Sequence, residues 1–307
     1  MKKRLIGAVL ALMTVVTIGA GCGKKPSQTL TIGVLPDVDS IPIIIAQEKG
    51  FFEAEGLDID IQHFKSAPDR ESALQAGSLD GAVSDMLSAA FLTEGGFEVG
   101  ITSMTNGSYK LLAGASMNGS TDLTGKSIAI STNTIIEYTT DMMLAENGLS
   151  PEDVEKTAIP QIPVRLEMLQ SGQIDAATLP EPLASVAVKA GATVIGSSDS
   201  LGINPGVLLF TKDSISQKKT EIEAFYRAYN KAVEYLKSAP VADYVDILIN
   251  VSGFPEDVRD QLTLPEYTSA TLPGKEDFDG VIAWLTEKGL IQNAYQYDDL
   301  VVKDFVK

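Results

Sequence analysis

Carboxylates and hydroxyls gather where short apolar runs give way to helix-like segments. In GVLPDVDSIPIIIAQEKG (33–50), Asp37, Asp39 and Ser40 stand between a strand-like run and a helix. Ser84 and Asp85 follow a second such run and Glu181 follows a third, while Ser131, Thr132, Asn133 and Thr134 open a helix-like segment whose first turn carries Glu137 and Tyr138. Two chemistries compete for these groups. Such side chains cap helices by accepting the free N–H groups of the first turn, and Pro42 and acidic charge suit that end of a helix. One cap needs one side chain, so a spare group at each place is available to a ligand. Carboxylates suit a cationic or hydrogen-donating group, and free helix-start N–H groups suit an anion. At 33–50 the cap falls to Asp39 or Ser40, which leaves Asp37 the freer of the two aspartates.

Two arginines, Arg70 and Arg165, are each expected at a helix start, where the macrodipole disfavours a cation. Arg70 has Asp69 and Glu71 beside it and reads as a structural ion pair. Arg165 lies between Val164 and Leu166, with no acid before Glu167, and is the better candidate for an anionic ligand group. His63 reads as a surface residue and Trp284 as core.

Elements of regular alternation must position these groups. Strand-like runs at 30–35, 57–64, 79–84 and 99–104 alternate with helix-like segments at 41–50, 69–76 and 86–94, and the alternation restarts at 127–131. That pattern predicts parallel strands with crossover helices in an open α/β sheet. The two stretches are copies. DRESALQAGSLDGAVSDMLSAA (69–90) aligns without gaps on VRLEMLQSGQIDAATLPEPLAS (164–185), placing Arg70 on Arg165, Leu74 on Leu169, Gly77 on Gly172 and Asp80 on Asp175. After residue 205 one further strand and a long amphipathic helix have no counterpart. The expected topology is a first lobe of 29–112 plus 206–307 and a second lobe of 117–202, with hinges near 113–117 and 201–206. Ligands of open α/β sheets bind beyond the carboxyl ends of the strands, so two facing lobes make a cleft that hinge motion can close.

The N-terminus adds an address. Lys2, Lys3 and Arg4 precede an apolar stretch that ends at Gly21 and Cys22, which reads as a signal peptide over 1–21 and a tether over 22–28. Cys22 is the only cysteine, so the chain has no intramolecular disulfide and no thiol cluster for a metal. The net charge is −17, and loss of the three basic residues makes it more acidic still. Such a surface repels nucleic acid and anionic headgroups, so a lipid rather than a basic patch is expected to hold the protein to the membrane.

These stretches together resemble the extracytoplasmic substrate-binding lipoproteins of bacterial ABC importers, in the nitrate, sulfonate and taurine group that includes carriers of thiamine-pyrimidine precursors. The residues that carry the resemblance are IPIIIAQEKGFFEAEGLDIDI, the pair ALQAGSLDGAVSD and MLQSGQIDAATLPEP, DLTGKSIAIS, and the closing WLTEKGLI and YDDLVVKDF. It implies a two-lobed, type II-like periplasmic-binding-protein fold, lipidation at Cys22, extracytoplasmic localisation, and docking on a permease with its ATPase. It also implies ligand contact around Asn106, Ser108 and Tyr109, where Tyr109 would stack on a π-face. The acidic cleft list points to an amine-bearing or zwitterionic solute, such as an aminopyrimidine or a taurine-like compound. A monomer without cofactor or metal is expected. An extracellular sensor is the alternative. A thiamine-pyrimidine synthase-like enzyme lacks its parts here, with one histidine and one cysteine.

Overall fold

The computed structural model describes residues 28–260 and 262–306. The signal segment, Cys22 and the tether up to residue 27 lie outside the described residues. The strands are β1 (Leu30–Val34), β2 (Ile59–His63), β3 (Gly81–Asp85), β4 (Val99–Met104), β5 (Tyr109–Ala113), β6 (Ser127–Ile130), β7 (Glu155–Ala158), β8 (Ala176–Pro180), β9 (Thr193–Ser197) and β10 (Gly206–Thr211). The helices are α1 (Ile41–Glu48), α2 (Phe51–Ala54), α3 (Ala67–Gln75), α4 (Met86–Glu94), α5 (Ile135–Glu146), α6 (Ile162–Gln170), α7 (Leu183–Lys189), α8 (Ser198–Leu201), α9 (Lys212–Gln217), α10 (Lys219–Ser238), α11 (Val245–Asn250), α12 (Lys275–Glu287) and α13 (Tyr297–Leu300).

Two five-stranded sheets form, in the orders β2-β1-β3-β10-β4 and β7-β6-β8-β5-β9. The central strands β1, β3 and β8 are covered on both faces and accordingly read as short, nearly all-apolar runs. The internal repeat is visible strand by strand, because β1 and β6 each pair in parallel with their neighbours on both sides. Asp80 accepts from the Thr31 N–H at the start of β1, and its mate Asp175 accepts from the Ser127 N–H at the start of β6.

Each sheet also contains one antiparallel strand delivered from the other half of the chain. β5 leaves the first sheet after β4 and inserts between β8 and β9; β10 leaves the second after β9 and inserts between β3 and β4. The first crossing therefore runs through 105–108, ahead of β5. This corrects the sequence-based boundary that kept 109–112 in the first lobe and put the hinge near 113–117. Local pattern marks Tyr109–Ala113 as apolar but does not say which sheet takes it; that is decided by its hydrogen bonds to β8 and β9.

α3 and α6 begin at Ala67 and Ile162, three residues before Arg70 and Arg165. Pro68 and Pro163 occupy the first turn, where a missing N–H costs nothing. Both arginines thus lie just beyond the free N–H groups, which weakens the dipole argument against them. α10 packs against α1 and α2, and α12 against α4, completing the first lobe.

Candidate functional site

The carboxyl ends of β1 and β3 face those of β6 and β8 across a small cavity. Its first wall carries Asp37, Asp39, Arg70, Ser84 and Asp85, and its second carries Tyr109, Ser131, Thr134 and Arg165. Leu35, Val83, Ile135, Ile136 and Ile162 supply apolar surface between them. The lobes touch at several points around it: the Val38 N–H donates to the Glu181 carbonyl at 3.0 Å, and the Ile162 N–H to the Lys65 carbonyl at 3.0 Å.

The two aspartates of the first loop have roles opposite to those expected. Asp37, in extended backbone, is the N-cap of a short turn over Val38–Ser40; its Oδ1 accepts from the Ser40 N–H at 3.1 Å and from Ser40 Oγ at 2.8 Å. Ser40 is buried behind it, so the cap belongs to Asp37 and not to Asp39 or Ser40. Asp39 reaches the first crossing, where its Oδ1 accepts from Thr105 Oγ1 at 2.5 Å and its Oδ2 from the Tyr109 hydroxyl at 3.0 Å. Gly107 in the first crossing and Gly206 at the start of β10 press against this carboxylate. A Cβ on Gly107 would stand 2.6 Å from Asp39 Oδ2, and one on Gly206 would stand 3.0 Å from Asp39 Oδ1. Asp39 therefore ties the first crossing and the start of β5 to the first loop, with the Gly206 backbone packed closely against it.

Burial raises the pKa of both carboxyls. Asp37 is pushed up to about 8, with the charge of Asp39 adding to the effect and Ser40 and Arg70 opposing it. Asp39 is raised chiefly by burial, against the bonds from Thr105 and Tyr109. A cation in the cavity would relieve this cost.

Asp85 both caps and bridges. Its Oδ1 accepts from the Ser88 N–H at 2.7 Å, capping α4, and its Oδ2 accepts from the Ile135 N–H across the cleft at 3.4 Å. Burial raises its pKa as well. On the facing wall Thr134 caps α5 through the Ile136 N–H at 3.2 Å. Ser131 Oγ is buried with no hydrogen-bond partner among the described residues. Thr132 and Asn133 are exposed and line a separate groove with Glu71 and Ser88 rather than the cavity.

The arginines differ in company. Arg70 Nε and Nη2 both donate to Glu71 Oε1, at 3.2 and 2.6 Å, and Nη2 also donates to Ser84 Oγ at 3.0 Å. Arg165 is fully buried; its Nη1 donates to the Ile159 carbonyl at 2.9 Å and the Pro160 carbonyl at 3.4 Å, while Nε and Nη2 have no acceptor among the described residues.

Other candidates are used elsewhere. Glu181 accepts from Lys110 Nζ and from the N–H and hydroxyl of Ser185, so it is spent on the second lobe's own packing. Asn106 pairs with Thr268, and Ser108 Oγ donates to Asp199 at 2.6 Å, which fixes the crossing rather than facing the cavity. Tyr138 packs edge-on against Trp284. Trp284 is core, as expected, but its Nε1 also donates to Asp141 of the other lobe at 3.2 Å. Lys288 follows α12 and reaches both Asp141 and Glu137, at 2.8 and 3.2 Å, and Lys156 joins the same two acids. This ion-pair cluster between the lobes was missed. Its one sequence signal is the i, i+4 spacing of Glu137 and Asp141 on one face of α5. Seven of the fourteen candidate residues line the cavity: Asp37, Asp39, Ser84, Asp85, Tyr109, Thr134 and Arg165.

Two facing α/β lobes, each taking a strand from the other and enclosing a polar cavity between strand ends, define the type II periplasmic-binding-protein fold. Solved structures share it. The alkanesulfonate-binding protein SsuA of Xanthomonas axonopodis pv. citri, bound to MOPS, superposes with a TM-score of 0.78 at 19% identity, over 92% of this chain and all of that one. The ligand-binding component of an ABC-type import system from Staphylococcus aureus, with zinc bound, gives 0.78 at 16% identity over 91% and 98%. In sequence the chain is 24% identical over 255 residues to a Brachyspira hyodysenteriae protein named as an ABC transporter periplasmic binding protein, covering 75% of this chain and 73% of that one. The NMT1-like family profile matches residues 23–249, and the chain belongs to that family.

Among the described residues no group of three or more His, Cys, Asp or Glu could hold a metal ion, and no helix is long and apolar enough to cross a membrane.

Proposed function

We propose that this protein is the extracytoplasmic substrate-binding component of an ABC import system. It closes its lobes around one small organic solute, amine-bearing or zwitterionic, and presents it to a membrane permease coupled to an ATPase. The observation that carries the reading is the cavity between the lobes with three buried carboxyls, Asp37, Asp39 and Asp85, on one wall, each raised in pKa by burial. Such a wall favours a ligand that brings positive charge or donors. The relatives' names support the transport role, and the Cys22 lipid would keep a monomer beside the permease. A binding role also fits the side chains present: the single histidine, His63, is on β2 and does not line the cavity, so no Ser–His or Cys–His pair faces a solute.

A thermal-shift screen on protein lacking residues 1–22 tests this with amines, aminopyrimidines, sulfonates, nitrate and flavins. A solute at 100 times its dissociation constant should add about 2.7 kcal/mol to stability. A response confined to inorganic anions would remove the amine-biased reading.

A further inference from the structure

We infer that Arg165 seats an oxyanion of the bound solute, a single carboxylate or sulfonate group, so that the ligand is a zwitterion rather than a plain amine. The inference rests on reading this cavity as the solute site. Arg165 lines it, is fully buried, and leaves the Nε–H and Nη2 donors without any acceptor. A buried cation without a counter-charge or full hydrogen bonding is costly and persists where something else supplies the missing partner. Burial alone pulls this guanidinium down to about 9, with no carboxylate opposing it.

Among the described residues nothing fills that role. Glu137 and Asp141, on the neighbouring α5, are held by Lys156 and Lys288. The repeat shows what is absent. Arg70, the mate of Arg165, is satisfied by Glu71 and Ser84. The residues standing at those two places in the second copy are Leu166 and Leu179, both buried.

A second group points the same way. Ser131 Oγ lines the same cavity and is likewise buried without a partner. Two guanidinium donors and a hydroxyl can together hold the oxygens of one carboxylate or sulfonate, the geometry in which arginine exceeds lysine. Asp37, Asp39 and Asp85 then meet the solute's donors on the other wall.

Thermal denaturation with taurine, β-alanine and ethanolamine separates the possibilities, since all three carry an amine and only the first two an oxyanion. The zwitterions should shift the melting temperature at concentrations at least tenfold below ethanolamine, and the better of the two identifies the oxyanion as sulfonate or carboxylate. Arg165→Gln should abolish that preference, Arg165→Lys should restore part of it, and Ser131→Ala, which leaves the carbonyl contacts of Arg165 in place, should weaken it about tenfold. Equal responses to all three compounds, or a preference unchanged in Ser131→Ala and in a folded Arg165→Gln, would overturn the inference. Crystals grown with sodium bromide give a readout that needs no solute. An anomalous peak against Arg165 in the parent protein, absent in Arg165→Gln, supports the oxyanion seat even if no amine in the panel binds, in which case only the solute class proposed above falls. A cavity free of bromide overturns the seat itself.

Discussion

Arg70 and Arg165 occupy the same position in two copies of one structural unit, yet the molecule treats them differently. On the first wall Glu71 and Ser84 complete the guanidinium within the lobe. On the second, Leu166 and Leu179 take those places and the guanidinium keeps only two carbonyl contacts. The copy that satisfied its arginine internally became scaffold, and the copy that did not retains a site whose partner must come from outside. Which group is functional therefore follows from what its neighbours leave unsatisfied.

Substituting each arginine should expose this most strongly. Arg70→Met strands Glu71 beside the buried Ser84 and removes the cation that opposes Asp37 and Asp85, so it should cost about 3 kcal/mol in urea denaturation. Arg165→Met removes an uncompensated charge and leaves two carbonyls, so it should cost under about 1 kcal/mol. Equal losses would erase the distinction. Transplanting the missing carboxylate is the next test: Leu166→Glu should give Arg165 an internal partner and lower affinity for an acid-bearing solute at least tenfold, about 1.4 kcal/mol, by calorimetry. Undiminished binding would mean that the internal partner does not compete with the solute.

The walls also differ at the helix that follows the third strand. Asp85→Ala removes the α4 cap and the bond to the Ile135 N–H, with an expected loss of about 1 kcal/mol, measurable by denaturation. In the second copy Pro180 stands at this place, and the first turn of α7 is held instead by Glu181, which accepts from the Ser185 N–H at 3.0 Å.

A further difference is in protons. Asp37, raised to about 8 from the ordinary 3.8, binds its proton more tightly in the folded protein than in the unfolded chain. Its contribution to stability is therefore full below about pH 4 and is lost as pH rises toward 8. Asp37→Asn should flatten that decline in pH-dependent melting. At pH 7 an amine entering beside Asp37, Asp39 and Arg70 should lower the pKa and release a fraction of one proton, seen as a buffer-dependent heat in calorimetry. A buffer-independent heat would place the amine elsewhere.

Much of this was readable from residue order. The alternation, the duplicated unit with its aspartates and arginines, and the cluster of capping groups at strand ends located the cleft, and half of the candidate residues line it. Where the reading went wrong, a distant partner had claimed the side chain. Glu181 stands at a strand end as its position requires, but Lys110 on the inserted strand takes it. Tyr138 is on the first turn of α5, but Trp284 from the far end of the chain covers it. Asp39 looked like a cap until Thr105 and Tyr109 in the crossing bound it, which left the cap to Asp37.

By itself the sequence determined the α/β class, the two-fold internal repeat and the places where polar groups meet strand ends, because periodicity and turn chemistry act over a few residues. Only the tertiary structure decided that β5 and β10 exchange between sheets, that Asp39 anchors the first crossing, and that Arg165 keeps two carbonyl contacts where Arg70 has a carboxylate. Those outcomes depend on hydrogen bonds and burial between residues far apart in the chain, and a buried donor is left open or satisfied by whatever the fold brings within about 3 Å of it.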